Sequence, residues 1–556
     1  MVNLNERVSK MKKLISFILS VLMFLSLAVP CFVAGAEGGI DIHETKSQIP
    51  VVRILGDGEP LYDAQGNVLF HYRNVLSEDL GSDEDGDSDI MGSIANVLLP
   101  FLIDGLLTDN WDAYYENLQK EISELTGDAK LDCNGEPVEG TGISRTRKDF
   151  LEYAASHDKK GKKGYYSYTD YHFWYDWRLD PLESADKLND YIKAVKKVTG
   201  ADKVGINASC IGTIVTTAYV AKYGVEDIQG IGYTGSLANG AEILSESISG
   251  KFDTDGAAIG RILMDSAYIG LFDFDEFINT SIDLVIASGL VDYAEQGIRD
   301  TLYNKLAAGV TSALALSTFY TYPSYWAAVS AEDYDEALVY VFGEEGSEKR
   351  TEYAGLIEKI EAYDSVVRQN FTDIIASIGE GGANFGAIAK YGFQLLPICE
   401  SYDAVSDQFV SVKRASFGAT TSTIYDTLDE DYITYQTQLG FDRYISPDKQ
   451  IDASTCVYPD STWFVKNSSH SRYTDYELKL LYDVATADRQ LTVEDFPWSQ
   501  FMVYDYDTDT MEAMTEDNCH TEQWGAEKPA VEKEERLIRF VFAIINWIIE
   551  LFAKIF

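Results

Sequence analysis

Along residues 203–234 the apolar positions alternate between two spacings. A short apolar run from 203 that breaks at Ser209 reads as a strand, helical spacing follows at 213–223, and a second apolar run at 228–234 closes at Gly235. Upstream, 50–55 (PVVRIL) reads as a strand running into the turn Gly56-Asp57-Gly58-Glu59, and 184–199 as an amphipathic helix. Strands joined through helices at this spacing form βαβ units, so the pattern predicts an α/β fold with a mostly parallel sheet covered by helices. From Gly240 to about Gly382 the pattern changes: 259–268, 274–290 and 353–378 keep helical spacing with few strand signals between them. This stretch is expected to be a helical insertion above the sheet, shaping a substrate pocket as a lid. Strand signals return at 383–392 and end with 462–466 (TWFVK), the last convincing strand.

Both termini differ from this body. Residues 1–36 begin with Arg7, Lys10, Lys12 and Lys13, continue through the apolar stretch 14–29 and end in Ala34-Gly35-Ala36, the outline of a secretory leader. Pro30 before Cys31 argues against a lipid attachment site, so the expectation is a secreted protein. At the other end, Arg539, Asn546, Glu550 and Lys554 form one narrow polar stripe on an otherwise apolar helix in 537–556. An amphipathic helix of this kind suits contact with a membrane surface or a partner protein, and equally docking on its own domain. The expected organisation is a leader (1–36), a first core part (37–240), a cap (241–382), a second core part (383–525) and a C-terminal amphipathic helix (526–556).

A formal net charge of −45 makes nucleic acid an improbable partner, since such a surface repels phosphate. With 46% hydrophobic residues the chain still has material for a large core, so the acidity does not signal disorder. The cysteines are scattered without a CxxC pair, which gives no indication of a metal site, and no cofactor is implied. Segment 82–89 (SDEDGDSD) is similar to part of a calcium loop but lacks the terminal glutamate, and reads as a solvated acidic loop.

The break after the run 203–209 carries the candidate chemistry. Ser209 stands among small residues at a strand-to-helix junction, the place of a nucleophile elbow, although Asn207-Ala208-Ser209-Cys210-Ile211 departs from Gly-x-Ser-x-Gly. Ser209 is the expected nucleophile. Cys210 could itself act as a thiolate, but standing after the serine it is assigned, with Asp57, as a backbone donor to an oxyanion hole. A serine needs a base, and the six histidines can be searched in turn. His43, His71, His157 and His520 lie in polar or terminal segments and His172 among aromatics. His470 follows the last strand in a polar loop and is the best base. Asp407 is preferred over Asp448 as the acid because it follows 383–392 more closely.

Several pieces together resemble the lecithin:cholesterol acyltransferase and related lipase family of α/β-hydrolases. These are 50–58 as strand and oxyanion turn, Tyr175-Asp176-Trp177-Arg178 before the elbow, the elbow itself, 233–240, Pro323-Ser324-Tyr325-Trp326, and Gly392-Phe393 followed by Asp407-x-x-Val410. The resemblance implies an α/β-hydrolase fold with a large helical cap, and cleavage or transfer of an acyl ester or lipid through Ser209, Asp407 and His470. A non-catalytic binding or assembly protein of the same fold, attached through its C-terminal helix, is the alternative. Amide hydrolysis by the same triad is a third reading.

Overall fold

The computed structural model describes residues 42, 45–56, 60–70, 111–119, 129–156, 164–252 and 318–519, apart from short interruptions within these stretches. The leader, Asp57, the acidic segment 82–89, the helical patterns at 94–107, 259–268 and 274–290, and the tail helix lie outside the described residues.

Eight strands form one sheet: β1 (Val51–Ile54), β2 (Tyr171–His172), β3 (Val204–Cys210), β4 (Ile228–Ser236), β5 (Asn384–Tyr391), β6 (Thr462–Lys466), β7 (Phe501–Asp505) and β8 (Thr510–Ala513). Their spatial order is 8-7-6-5-4-3-1-2. Neighbours run parallel throughout except β7 with β8. The order reverses at β1, where the chain moves first to β2 on one side and then to β3 on the other. In open parallel sheets the crevice at the carboxyl ends of strands flanking such a reversal is where ligands bind.

All positions of β3, β5 and β6 are buried, as expected for strands covered on both faces. Helices α1 (Pro181–Thr199) and α2 (Ile211–Tyr223) pack together on one side. Asp180 caps α1 by accepting from the Leu182 amide at 2.8 Å, Pro181 opens it, and Gly200 closes it in the left-handed conformation. Tyr233 of β4 reaches this side, its hydroxyl 3.1 Å from that of Thr217 in α2. On the opposite face lies α7 (Asp475–Thr486), closed at its start by a capping box between Thr474 and Glu477. Gly205 of β3, Gly230 and Gly232 of β4 and Gly386 of β5 let this helix come close: a Cβ on Gly230 would stand 2.6 Å from the Val484 carbonyl oxygen. The helix therefore covers the middle of the sheet with its backbone against Gly205 and Gly230 and with the side chains of Leu481 and Val484 over Gly232 and Gly386.

Between β4 and β5 the described residues are mainly helical, including α3 (Glu242–Ser249), α4 (Pro323–Ala327), α5 (Ala354–Val366) and α6 (Phe371–Glu380). The pattern at 353–378 is thus two helices. They part at Arg368, whose guanidinium turns inward to Asp364 at 2.6 Å and to the carbonyl oxygens of Trp326 and Val329. The expectation that 462–466 would be the last strand is corrected: α7, β7 and β8 follow it and complete the sheet. Among the described residues no helix is long and apolar enough to cross a membrane.

Candidate active site

Strand β3 ends and α2 begins with no residue between them, so the direction change falls on one residue. That residue is Cys210, with φ 53° and ψ −130°. A side chain in this region is strained by about 1–3 kcal/mol, and such strain gathers at functional turns. Close packing holds the turn in place. A Cβ on Gly56, just beyond β1, would lie 2.4 Å from the Cys210 Cβ, 2.7 Å from its Sγ and 3.2 Å from the Ile211 nitrogen, so only glycine fits there. A Cβ on Gly212 would lie 2.2 Å from the Ile54 carbonyl oxygen, so α2 can start this close to β1 only with glycine. The buried Thr213 hydroxyl donates to the Cys210 carbonyl at 2.6 Å and accepts from the Leu237 amide at 3.1 Å, tying the turn to the end of β4. No side chain caps α2, so its first amides and the positive end of its dipole are directed at the turn that bears the thiol.

A base and a carboxylate meet at the same end of the sheet. Nδ1 of His470 lies 2.8 Å from Oδ2 of Asp407, and the His470 amide donates to the Asp407 carbonyl at 2.8 Å. The other carboxylate oxygen accepts from the amides of Phe409 and Val410 at 3.0 and 2.9 Å. With both oxygens engaged, the carboxylate is fixed and holds Nδ1 protonated, leaving Nε2 as the basic nitrogen. The imidazole rests over Gly235 of β4, where a Cβ would be 3.1 Å from its Cε1, and next to Phe409 at 5.0 Å between ring centroids. Nε2 is buried and, among the described residues, has no hydrogen-bond partner. Cys210 pairs with Ser236, the neighbour of Gly235, so thiol and imidazole stand at the ends of adjacent strands.

Lys390 of β5 supports the loop that carries the base. Its fully buried ammonium donates to the His470 carbonyl oxygen at 2.7 Å and also to that of Arg472, and lies 4.4 Å from the centre of the Tyr473 ring. Burial pushes this ammonium below its ordinary value, against the attraction of Glu477, Asp407 and the Cys210 thiol. On the other side of the turn, the Tyr175 hydroxyl donates to the Leu55 carbonyl oxygen at 2.7 Å, holding the end of β1. Arg178, fully buried, grips Asp176 through Nε at 3.0 Å and Nη2 at 2.7 Å, and donates to the Ala129 carbonyl at 2.8 Å. The Tyr-Asp-Trp-Arg segment thus braces the turn after β1 through Tyr175.

Asp407 and His470 stand together as the sequence led one to expect, whereas Ser209, the expected nucleophile, stands one residue before the positive-φ turn, which falls on Cys210. Ser209 is the last regular position of β3, paired with Thr234. Strand alternation puts it on the same face as Asn207, which shares the space over Gly232 with Leu481 of α7. Cys210, expected as an oxyanion donor, occupies the strand-to-helix turn itself, and the Ile211 amide follows it at the head of α2. Asp57, the other expected donor, lies outside the described residues. Asp448, the alternative acid, is engaged away from His470: its oxygens are bonded to Lys466 at 2.9 Å, Tyr391 at 2.9 Å and Ser446 at 2.5 Å. Among the described residues no group of His, Cys, Asp and Glu is arranged to hold a metal ion.

Comparison with protein-family models, with curated proteins and with solved structures finds no match for this chain.

Proposed function

We propose that this protein is an acyl-ester or acyl-thioester hydrolase, or an acyltransferase, of α/β-hydrolase architecture in which Cys210 is the nucleophile, His470 the base and Asp407 its orienting partner. The helices between β4 and β5 serve as the cap, and the leader in 1–36 sends the enzyme out of the cell. One observation carries this reading: Cys210, not Ser209, takes the strained turn between β3 and α2, its thiol packed against the backbone of Gly56.

In the reaction His470 Nε2 takes the thiol proton and the Cys210 sulfur attacks the acyl carbonyl carbon. A sulfur–carbon bond forms while the carbonyl electron pair moves onto oxygen, beside the Ile211 amide. The tetrahedral adduct then collapses, and the departing alcohol or thiol receives the proton from the His470 imidazolium. Water or a second alcohol, deprotonated by the same nitrogen, attacks the thioester carbon and expels the Cys210 thiolate. The α2 N-terminus favours the thiolate throughout, and a thiol needs less activation than a serine hydroxyl. The acyl-ester chemistry follows from the lipase resemblance, and the aromatic side chains around Trp177 and Tyr325 suit an apolar acyl group.

Incubation with p-nitrophenyl butyrate followed by mass spectrometry of the trapped acyl-enzyme tests the assignment. The acyl group is expected on the peptide containing Cys210, Cys210→Ala should abolish both acylation and turnover, and Ser209→Ala should keep at least a third of the activity. Full activity in Cys210→Ala, or its loss in Ser209→Ala alone, would return the role to the serine.

A further inference from the structure

Tyr325 lies in α4 within an aromatic cluster that leaves its ring a single orientation. The ring stacks on Trp177 at 6.0 Å and on Phe319 at 5.9 Å, and meets Tyr322 edge-on at 5.2 Å. Helix α4 is joined to the segment that braces the turn after β1 by the Ser324 amide, which donates to the Arg178 carbonyl at 3.4 Å, and it packs against α2, whose first residue follows Cys210. The neighbouring hydroxyls of the cluster are satisfied: Tyr322 donates to the Ala129 carbonyl at 2.9 Å, and Tyr320 to the Tyr353 hydroxyl at 2.8 Å. The Tyr325 hydroxyl is different. It is buried, and among the described residues it meets no donor or acceptor.

Leaving a hydroxyl buried and unbonded costs about 1–3 kcal/mol, which a phenylalanine here would avoid. Buried hydroxyls without a partner also occur at Tyr334 and Tyr363. Each of those rings lies beside the Arg368 guanidinium, 4.5 and 5.8 Å from it, whereas Tyr325 stands on a helix packed against α2, the helix that starts at the Cys210 turn.

We propose that the Tyr325 hydroxyl donates a hydrogen bond to the carbonyl oxygen of the acyl group under attack at Cys210, joining the Ile211 amide as a side-chain donor of the oxyanion site. This rests on the reading of Cys210 as nucleophile. Tyr325 keeps its proton throughout: as the sulfur–carbon bond forms and the carbonyl pair moves to oxygen, the bond from Tyr325 shortens, and it relaxes when the adduct collapses. The donor stays protonated wherever the enzyme works, because burial, then Tyr322 and Cys210, push the phenol well above its ordinary value. A donor fixed by ring packing needs no reorganisation as charge develops, and this preorganisation is the source of oxyanion-hole stabilisation.

Tyr325→Phe keeps the ring and its stacking and removes only the donor. Three measurements on the full chain decide the matter: the rate of Cys210 alkylation by iodoacetamide, the rate of Cys210 acylation by p-nitrophenyl butyrate, and the melting temperature. Alkylation forms no oxyanion and is expected to stay within about twofold of the wild type. Acylation should fall about 10²-fold, the loss usual for one oxyanion donor. The melting temperature should hold or rise, since an unbonded buried hydroxyl is gone. Equal acylation rates would overturn the proposal while leaving Cys210 as nucleophile. A clear fall in melting temperature would also overturn it, marking the hydroxyl as structural. Absence of any acylation of Cys210 in the wild type, with alkylation intact, would instead overturn the catalytic reading on which this proposal depends.

Discussion

Asp407 has no spare oxygen: one faces His470 and the other accepts two backbone amides. An asparagine can satisfy both sides in only one of two ways. If its oxygen keeps the Phe409 and Val410 amides, its NH2 group faces Nδ1 and forces the imidazole into the tautomer that protonates Nε2, removing the base. Asp407→Asn is therefore expected to lower kcat by about 10²–10⁴-fold with the fold retained, as steady-state kinetics alongside circular dichroism would show. Less than tenfold loss would mean that this carboxylate does not orient the base. Sequence led to this pair because histidine is scarce and strand order restricts where an acid can stand. It placed the turn one position early, although the signal was present: Ala208 and Gly212 are the small residues two before and two after Cys210, while the same offsets from Ser209 give Asn207 and Ile211. Chemical preference for a serine outweighed the spacing, and the spacing is what the steric demands of the turn dictate.

At the scale of elements, the sheet is closed by α7 lying on a glycine surface, which a pattern of apolar residues cannot reveal because glycines read as breaks. The strands after β6 escaped the sequence reading because they are short, with five and four residues. The arrangement makes a prediction. Gly230→Ala would place a methyl 2.6 Å from the Val484 carbonyl oxygen, and a backbone atom cannot yield as a side chain does. A loss of about 1–3 kcal/mol in urea unfolding is expected, where Gly200→Ala at an open helix end should cost less despite its positive φ. Helix α3 supplies a second. Glu246 accepts from the amides of Glu400 at 2.6 Å and Ser401 at 3.2 Å, yet burial outweighs these bonds and pushes its carboxyl up to about 7 from an ordinary 4.5. The folded protein then binds more protons than the unfolded chain between those values, so this group makes stability fall as pH rises through about 4.5–7. Comparing wild type with Glu246→Gln by urea unfolding at pH 5 and pH 8 isolates the effect. The wild type should lose about 1–3 kcal/mol more than the variant across that interval. Equal losses would show that the carboxylate is paid no such penalty in the folded state.

For the whole molecule, the reversal in strand order and the excess of acidic residues act together on what reaches Cys210. The reversal at β1 puts Gly56, Cys210 and the Ile211 amide at one end of the sheet, with His470 arriving from the loop after β6, so on the proposed reading a substrate approaches through that end. It does so in the field of a chain with net charge −45, which repels an anionic acyl donor and leaves a neutral one indifferent. Salt shortens the range of that field to about 10 Å at 0.1 M and about 3 Å at 1 M. For paired substrates that differ only in a remote carboxylate, such as butyryl and succinyl esters of the same alcohol, kcat/KM should favour the neutral ester at low ionic strength. Raising the salt to 0.5 M should lift kcat/KM for the anionic ester several-fold and leave the neutral one within a factor of two. If instead the anionic ester is preferred at low salt and loses that advantage as salt is added, a local cationic group governs the entrance, and Lys390, buried behind His470, is too far inside the loop to be that group without the base itself moving.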